Sequence, residues 1–432
     1  MMSKTKLVFL FLIGLLSVSA CGANNVTPDK PDEPDTPDTP DTPVTPDTPD
    51  TPTDEPLSYD RLVYNVENLG FATGKDSPGR TDEFDVGGCD LGYPLYVKEK
   101  DQIYYFFGDT FTSGQTGHWR SNVVGISEDK NLSDGLTISD FILTSAGYTA
   151  YVINGHHDNS GFNEVTKIPT GAIDIDGTLY MFYFSMWNWN ASNDNMMNYG
   201  GCVKSTDYGL TWERIYDLTW VNPECGNSKE NIQSLINETA DNELNGGNIS
   251  IDDHYGFDMT QIYPLDGKDG YIYLFLEGGY RNHGPKLARV LKEKFEVFEE
   301  YEYFIGKYDS EGNPMYKKGS QGIAYIKGKT ATQLVSNPFG EMSAFYNAYL
   351  KKWCMMTATG SSVMMFMADK IYGPYDTRCM IFPSSSPVVP LGSIYAPMSI
   401  EEMQEENGKI MYLLTSTWLP YYNPSFIKVT FR

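Results

Sequence analysis

The chain has 432 residues, a net charge of −25 at pH 7, and 14% aromatic residues, including 31 Tyr and 22 Phe. A surface this acidic disfavours nucleic acid and anionic lipid as partners but does not oppose a neutral glycan. The five histidines show no zinc spacing and the six cysteines no Cys-x-x-Cys pair, so no metal and no cofactor is expected.

Lys4 and Lys6 precede an apolar run from Leu7 to Leu16, which is too short for a stable membrane-spanning helix. The run ends in Val18-Ser-Ala-Cys21, small residues before a cysteine. The pattern predicts a bacterial lipoprotein signal peptide over residues 1–20, with lipid carried on the Cys21 thiol. Residues 22–56 hold ten Pro, ten acidic residues and a single Lys, largely as repeated Asp-Thr-Pro. Proline removes backbone donors and the acids repel one another, so this segment buries no core and reads as an extended stalk. The expected location is the outer membrane, lipid-anchored and facing outward.

Residues 57–432 form the remaining domain, long for a single core unless it is an all-β barrel or propeller. Helical periodicity is nearly absent; the charged stretch Leu287 to Glu300 reads equally well as strand. Short aromatic and β-branched runs broken by Gly, Asp and Asn dominate. One run recurs: Asp101 to Asp109, Asp176 to Phe184, Asp269 to Glu277 and Asn407 to Thr415, with a weaker copy near Lys351 and Trp353. Each is a turn feeding an apolar strand, and the spacing allows one four-stranded blade per copy. Five copies predict a five-bladed β-propeller. Ser205-Thr-Asp-Tyr-Gly-Leu-Thr-Trp212 resembles the Asp-box of sialidase-type propellers, a folding motif in which Asp and Gly close a hairpin and Trp packs into the blade.

Aligning the copies singles out acids. Asp109 ends the run in the first copy and Glu277 in the third. Eleven residues before each turn stand Asp90 and Asp258, so each blade carries two acids at a separation of 19. The innermost strand of a propeller blade lines the axis, so equivalent positions should converge on one funnel. Carboxylates gathered in a cleft are the apparatus of glycoside hydrolysis: one stays protonated for the leaving oxygen, another is ionised, and like-charge crowding separates their roles. No Gly-x-Ser-x-Gly and no phosphate-binding loop occur.

Val86-Gly-Gly-Cys-Asp-Leu-Gly92, Phe107-Gly-Asp-Thr-Phe111 and Trp119-Arg-Ser-Asn-Val123 together resemble a family long described as a domain of unknown function, whose members include endo-D-arabinanases. Cys89 stands where the family usually has Thr. The resemblance implies a five-bladed propeller with Asp90 and Asp109 as catalytic aspartates. It also implies that Thr110 and Phe111 shape the pocket, and that Arg120 and Asn122 match a motif whose arginine binds sugar hydroxyls, holds an aspartate ionised or pins a loop. Trp187 and Trp189, in an Asn-rich loop, are candidates either for stacking on sugar or for core packing, and Asp258 and Glu277 are candidates for substrate binding. The expected substrate is D-arabinan or arabinogalactan. Two alternatives stay open: a non-catalytic glycan-binding lipoprotein, and a glycosidase of other specificity such as an L-arabinofuranosidase.

Overall fold

The computed structural model describes residues 61–161, 163–238, 249–358, 362–383, 385–389 and 394–432. The signal peptide, Cys21 and the stalk lie outside the described residues. Five antiparallel sheets follow one another along the chain. The strand β1 (Val63–Phe71) comes first and is set aside until the last blade. Blade one holds β2 (Leu91–Val97), β3 (Gln102–Phe107), β4 (Val123–Ser127) and β5 (Asp140–Phe141). Blade two holds β6 (Thr166–Ile175), β7 (Thr178–Met186), β8 (Met197–Ser205) and β9 (Glu213–Val221). Blade three holds β10 (Gln261–Asp266), β11 (Tyr271–Glu277), β12 (Lys286–Leu291), β13 (Glu302–Tyr308) and β14 (Pro314–Lys318). Blade four holds β15 (Met342–Asn347), β16 (Lys352–Ala358), β17 (Ser362–Ala368) and β18 (Thr377–Pro383). Blade five holds β19 (Ile394–Met398), β20 (Gln404–Glu405), β21 (Ile410–Thr417) and β22 (Ser425–Phe431).

The first strand of each blade packs against its counterparts in the two neighbouring blades. β2 meets β6 and β19, β10 meets β6 and β15, and β15 meets β19, which closes a ring of five. This is a five-bladed β-propeller. Closure is sealed in blade five, where β1 hydrogen-bonds to β22 at the outer edge, with Val66 opposite Val429 and Asn68 opposite Ile427. The pairing ties the start of the domain to its end and leaves no open seam in the ring.

The recurring run is the second strand of each sheet from the axis, not the innermost; its opening residues form the turn from the inner strand in blades one to four and from β20 in blade five. Asp101, Asp176, Lys351 and Asn407 all have φ between 50° and 60°, and Gly177, Gly270 and Gly408 are also positive. Tight hairpins that match the twist of the sheet require left-handed residues, which Asp, Asn and Gly adopt most readily. The repeat in the sequence is therefore the signature of the inner hairpin. The Asp-box lies in the turn between β8 and β9. Asp207 accepts from the Thr211 N–H and hydroxyl at 2.9 and 2.6 Å, and buried Trp212 sits edge-on to Phe106 of blade one at 6.0 Å.

Two α-helices depart from the all-strand reading. α1 (Lys229–Asn237) is capped by Ser228 and buries Ile232, Leu235 and Ile236; α2 (Gly319–Ile326) follows β14 directly. α1 is nine residues long, and its three buried apolar residues on one face supply the packing that so short a helix needs. The stretch Leu287 to Glu300 resolves into most of β12 followed by two short 3-10 turns. Cys89, Cys202, Cys225, Cys354 and Cys379 are all free thiols.

Candidate active site

The inner strands all begin at one end of the ring, and the chemistry gathers there. Asp90 is the residue before β2, and Asp109 lies just past β3, so the two acids close the open end of a single hairpin. The Gly108 N–H donates to the Asp90 carbonyl at 3.0 Å. A Cβ at Gly108 would stand 2.3 Å from Asp90 Oδ1, so only glycine lets this carboxyl lie against the backbone beside Asp109. Both acids are nearly buried, at 8% and 9% exposure.

Their partners differ. Asp109 Oδ1 accepts from Trp119 Nε1 at 2.7 Å and from the hydroxyl of Thr166, at the start of β6, at 2.5 Å. Asp90 Oδ2 accepts from the Tyr395 hydroxyl at 2.9 Å, with Tyr422 a further donor, while Oδ1 has no partner among the described residues. Burial pushes Asp90 up to about 8, and the Asp109 charge adds to the push against the two tyrosine bonds. Burial likewise pushes Asp109 up to about 7, held back by Thr166 and Trp119. The indole of Trp119 is itself held by the His157 ring, stacked at 4.1 Å and 10°. Burial lowers His157 to about 4, so it packs as a neutral ring.

A second group of charges completes the mouth. Glu341, the residue before β15, takes in blade four the place of Asp90 in blade one. It is gripped by Arg281 and accepts from the Tyr280 hydroxyl at 3.0 Å. Glu277 is buried with neither oxygen partnered among the described residues, and burial followed by the Glu341 charge raises its pKa well above the ordinary value. Both influences favour the protonated form of this carboxyl. Among the described residues, no three His, Cys, Asp or Glu side chains form a metal-binding group.

The other expected site residues fall into two sets. Glu277 joins the mouth through Glu341, but Asp258 does not. Asp258 sits in the 3-10 turn Phe257–Met259 ahead of β10, bonded at 2.7 Å to Lys286 of β12, two strands out from the axis. Equal separations in sequence hide a register difference. Asp109 lies beyond the ladder of β2 and β3, whereas Glu277 is still inside its ladder, opposite Gln261. Arg120 is fully buried and pins the Asp85 loop, donating to the Asp85 carbonyl with its carboxylate 3.4 Å away. Asn122 pins another loop, bonding the carbonyls of Ile153 and Lys167 and the N–H groups of Val152 and Ile153. Buried Thr110 bonds the Gly108 carbonyl, and Phe111 stacks on Trp119 at 5.7 Å. Trp187 is half-buried with its N–H on the Gly161 carbonyl; the more exposed indole is Trp189, edge-on to Tyr280.

The residues missed in the sequence are Glu341, Arg281, Tyr280, Tyr395, Tyr422 and Thr166; Trp119 stood in a quoted motif but without a role. Glu341 had a usable signal. β2 carries a one-residue bulge after Leu91 and β15 carries none. The acid before the inner strand therefore stands 11 residues ahead of the left-handed turn residue in blade one but 10 in blade four. A cavity of about 650 Å³ opens at the other end of the ring, among Tyr96, Asp174, Asp266 and Glu402. None of the acids at the mouth lines it.

Fold and site together define a five-bladed propeller with a buried acid pair at one end of its ring. The chain belongs to the family described as Domain of unknown function (DUF4185), whose model matches residues 76–427. Among curated proteins none matches it. Solved structures similar to it include a Bacteroides ovatus protein (12% identity, 80% of this chain and 86% of that one, TM-score 0.49). Others are an arabinanase from Bacillus subtilis (14%, 80% and 96%, 0.39) and an alpha-L-arabinofuranosidase from Podospora anserina (10%, 86% and 98%, 0.41).

Proposed function

We propose that the protein is a glycoside hydrolase that cuts D-arabinan internally at the cell surface. The observation that carries this reading is the pairing of two buried carboxyls with unlike partners at one mouth of the ring. Asp90, with a bare Oδ1 and the higher pKa, holds the proton and gives it to the glycosidic oxygen. Asp109, whose charged form receives two hydrogen bonds, is the ionised group that activates water or attacks the anomeric carbon. Trp119 and Thr166 keep its second oxygen free for that work. What supports D-arabinan as substrate is the resemblance of the three blade-one motifs to a family that includes endo-D-arabinanases, and the acidic surface suits a neutral furanose polymer.

The test is a time course on D-arabinan and L-arabinan with released sugars resolved by length. Short oligosaccharides should appear first, and from D-arabinan. Free arabinose as the sole early product rejects internal cleavage, and release from L-arabinan alone rejects the substrate.

Location has its own test. A lipid on Cys21 would hold the enzyme on the membrane while the acidic stalk lifts the propeller toward a polymer too large to import. Cys21→Ser should move the protein from the membrane fraction to the soluble one; unchanged fractionation overturns the anchor.

A further inference from the structure

We propose that Arg281 is the specificity-determining residue of this site, donating from its free edge to hydroxyls of the sugar next to the cleaved bond. The proposal rests on the hydrolase reading for the word "cleaved", but not for the binding it describes. Glu341, only 6% exposed, takes Arg281 Nε at 3.1 Å and Nη2 at 2.9 Å. This fork fixes the guanidinium plane. The Tyr280 and Tyr395 rings lie on it at 4.7 and 5.0 Å. Nη1 has no partner among the described residues, and the side chain is 38% exposed. A group merely neutralising Glu341 has no need of an open edge. Its backbone is left-handed, at φ 56°, which for a long side chain is a conformation kept where the surroundings over-determine it, commonly at functional sites.

Position ties this edge to the reaction. Tyr395 touches both centres: its ring lies on Arg281 and its hydroxyl bonds Asp90. On the far side, Tyr280 meets Trp189, an exposed indole able to stack on a further sugar ring. The chemistry selects the ligand class. Arg281 carries its charge already compensated by Glu341, inside a strongly acidic protein, so a neutral diol suits it better than a uronate or phosphate.

The experiment measures binding of short D-arabinan and L-arabinan oligosaccharides by calorimetry in an Asp109→Asn background. Kinetics of the otherwise native enzyme are measured alongside. Arg281→Ala should weaken binding by about 10- to 100-fold, the worth of one or two charge-assisted hydrogen bonds, and raise KM with kcat changed far less. Because Arg281→Ala strands the Glu341 charge, the double variant Arg281→Ala/Glu341→Gln is the control. If Arg281 contacts sugar, the double variant stays weak. Recovery of native affinity in the double variant, unchanged affinity in Arg281→Ala, or no binding of either oligosaccharide by the Asp109→Asn parent overturns the proposal. Failure of the wild type to cut either polymer would remove the hydrolase reading alone, since the calorimetry still decides Arg281.

Discussion

Asp109→Asn and Asp90→Asn each lose turnover by about a thousandfold or more, as acid–base groups acting as a unit do. Asn keeps the volume of Asp but neither holds nor releases the proton. Steady-state rates on the cleaved polymer provide the check, and near-native activity in either variant removes that residue from the mechanism. The pH dependence follows from the same pair. The working form carries one proton shared between two carboxyls that burial pushes to about 7 and about 8. The rate should trace a bell with both limbs well above the ordinary carboxylate range, and the limbs belong to the pair rather than to either residue. Removing the Thr166 hydroxyl withdraws a bond to the charged form of Asp109, so Thr166→Val moves the acidic limb to higher pH.

These raised values also make the site costly to the fold. Between the ordinary 3.8 and about 7 to 8 the native state binds more protons than the unfolded chain, so this contribution to stability falls as pH rises through that window. Melting of the two Asn variants at pH 8.5 should therefore be no lower than that of the native protein, in contrast to their activity.

The largest loss of stability is expected from Lys167→Met, in blade two. Glu164 and Lys167 are buried and bonded at 2.7 Å, with His156 and Ser185 also on the carboxylate and the Asn154 carbonyl on the ammonium. Burial alone would raise Glu164, yet Lys167, His156 and Ser185 outweigh it and bring it to about 2. Lys167→Met leaves that carboxylate buried without its cation, which costs about 3 to 5 kcal/mol. The double variant Glu164→Gln/Lys167→Met should lose distinctly less than the two single losses added together, as read by denaturant unfolding. The pH sign is opposite to that of the acid pair. A depressed carboxylate stabilises above its unfolded value of 4.5, and that contribution is lost as pH falls toward about 2. Additive single and double losses would show that the pair is not coupled. Thr166 lies between these residues and holds Asp109, so the same variant should also disturb the site.

Much of the fold was legible because its repeating unit is local. A tight hairpin demands left-handed residues, and Asp101, Asp176-Gly177, Asp269-Gly270 and Asn407-Gly408 announce the inner hairpins directly. Asp90 and Asp109 were legible for a related reason: they close one hairpin, so the segment between them is a turn and two strands. Extending the count to blade three misled at Asp258, because spacing along the chain does not report where the ladder ends.

The all-β class, the five blades and the placing of Asp90 and Asp109 on one hairpin were readable along the chain, because each rests on contacts within some twenty residues. What surrounds those two acids comes instead from segments far apart in the chain. The sealing of the ring by β1 on β22, the Tyr395 bond to Asp90 across 305 positions and the Arg281 grip on Glu341 across 60 all join distant parts of the chain. No local propensity encodes such pairs: they form only when the ring brings inner strands from different blades to a common axis. There the low-dielectric mouth turns ordinary carboxyls into groups that hold a proton near neutral pH.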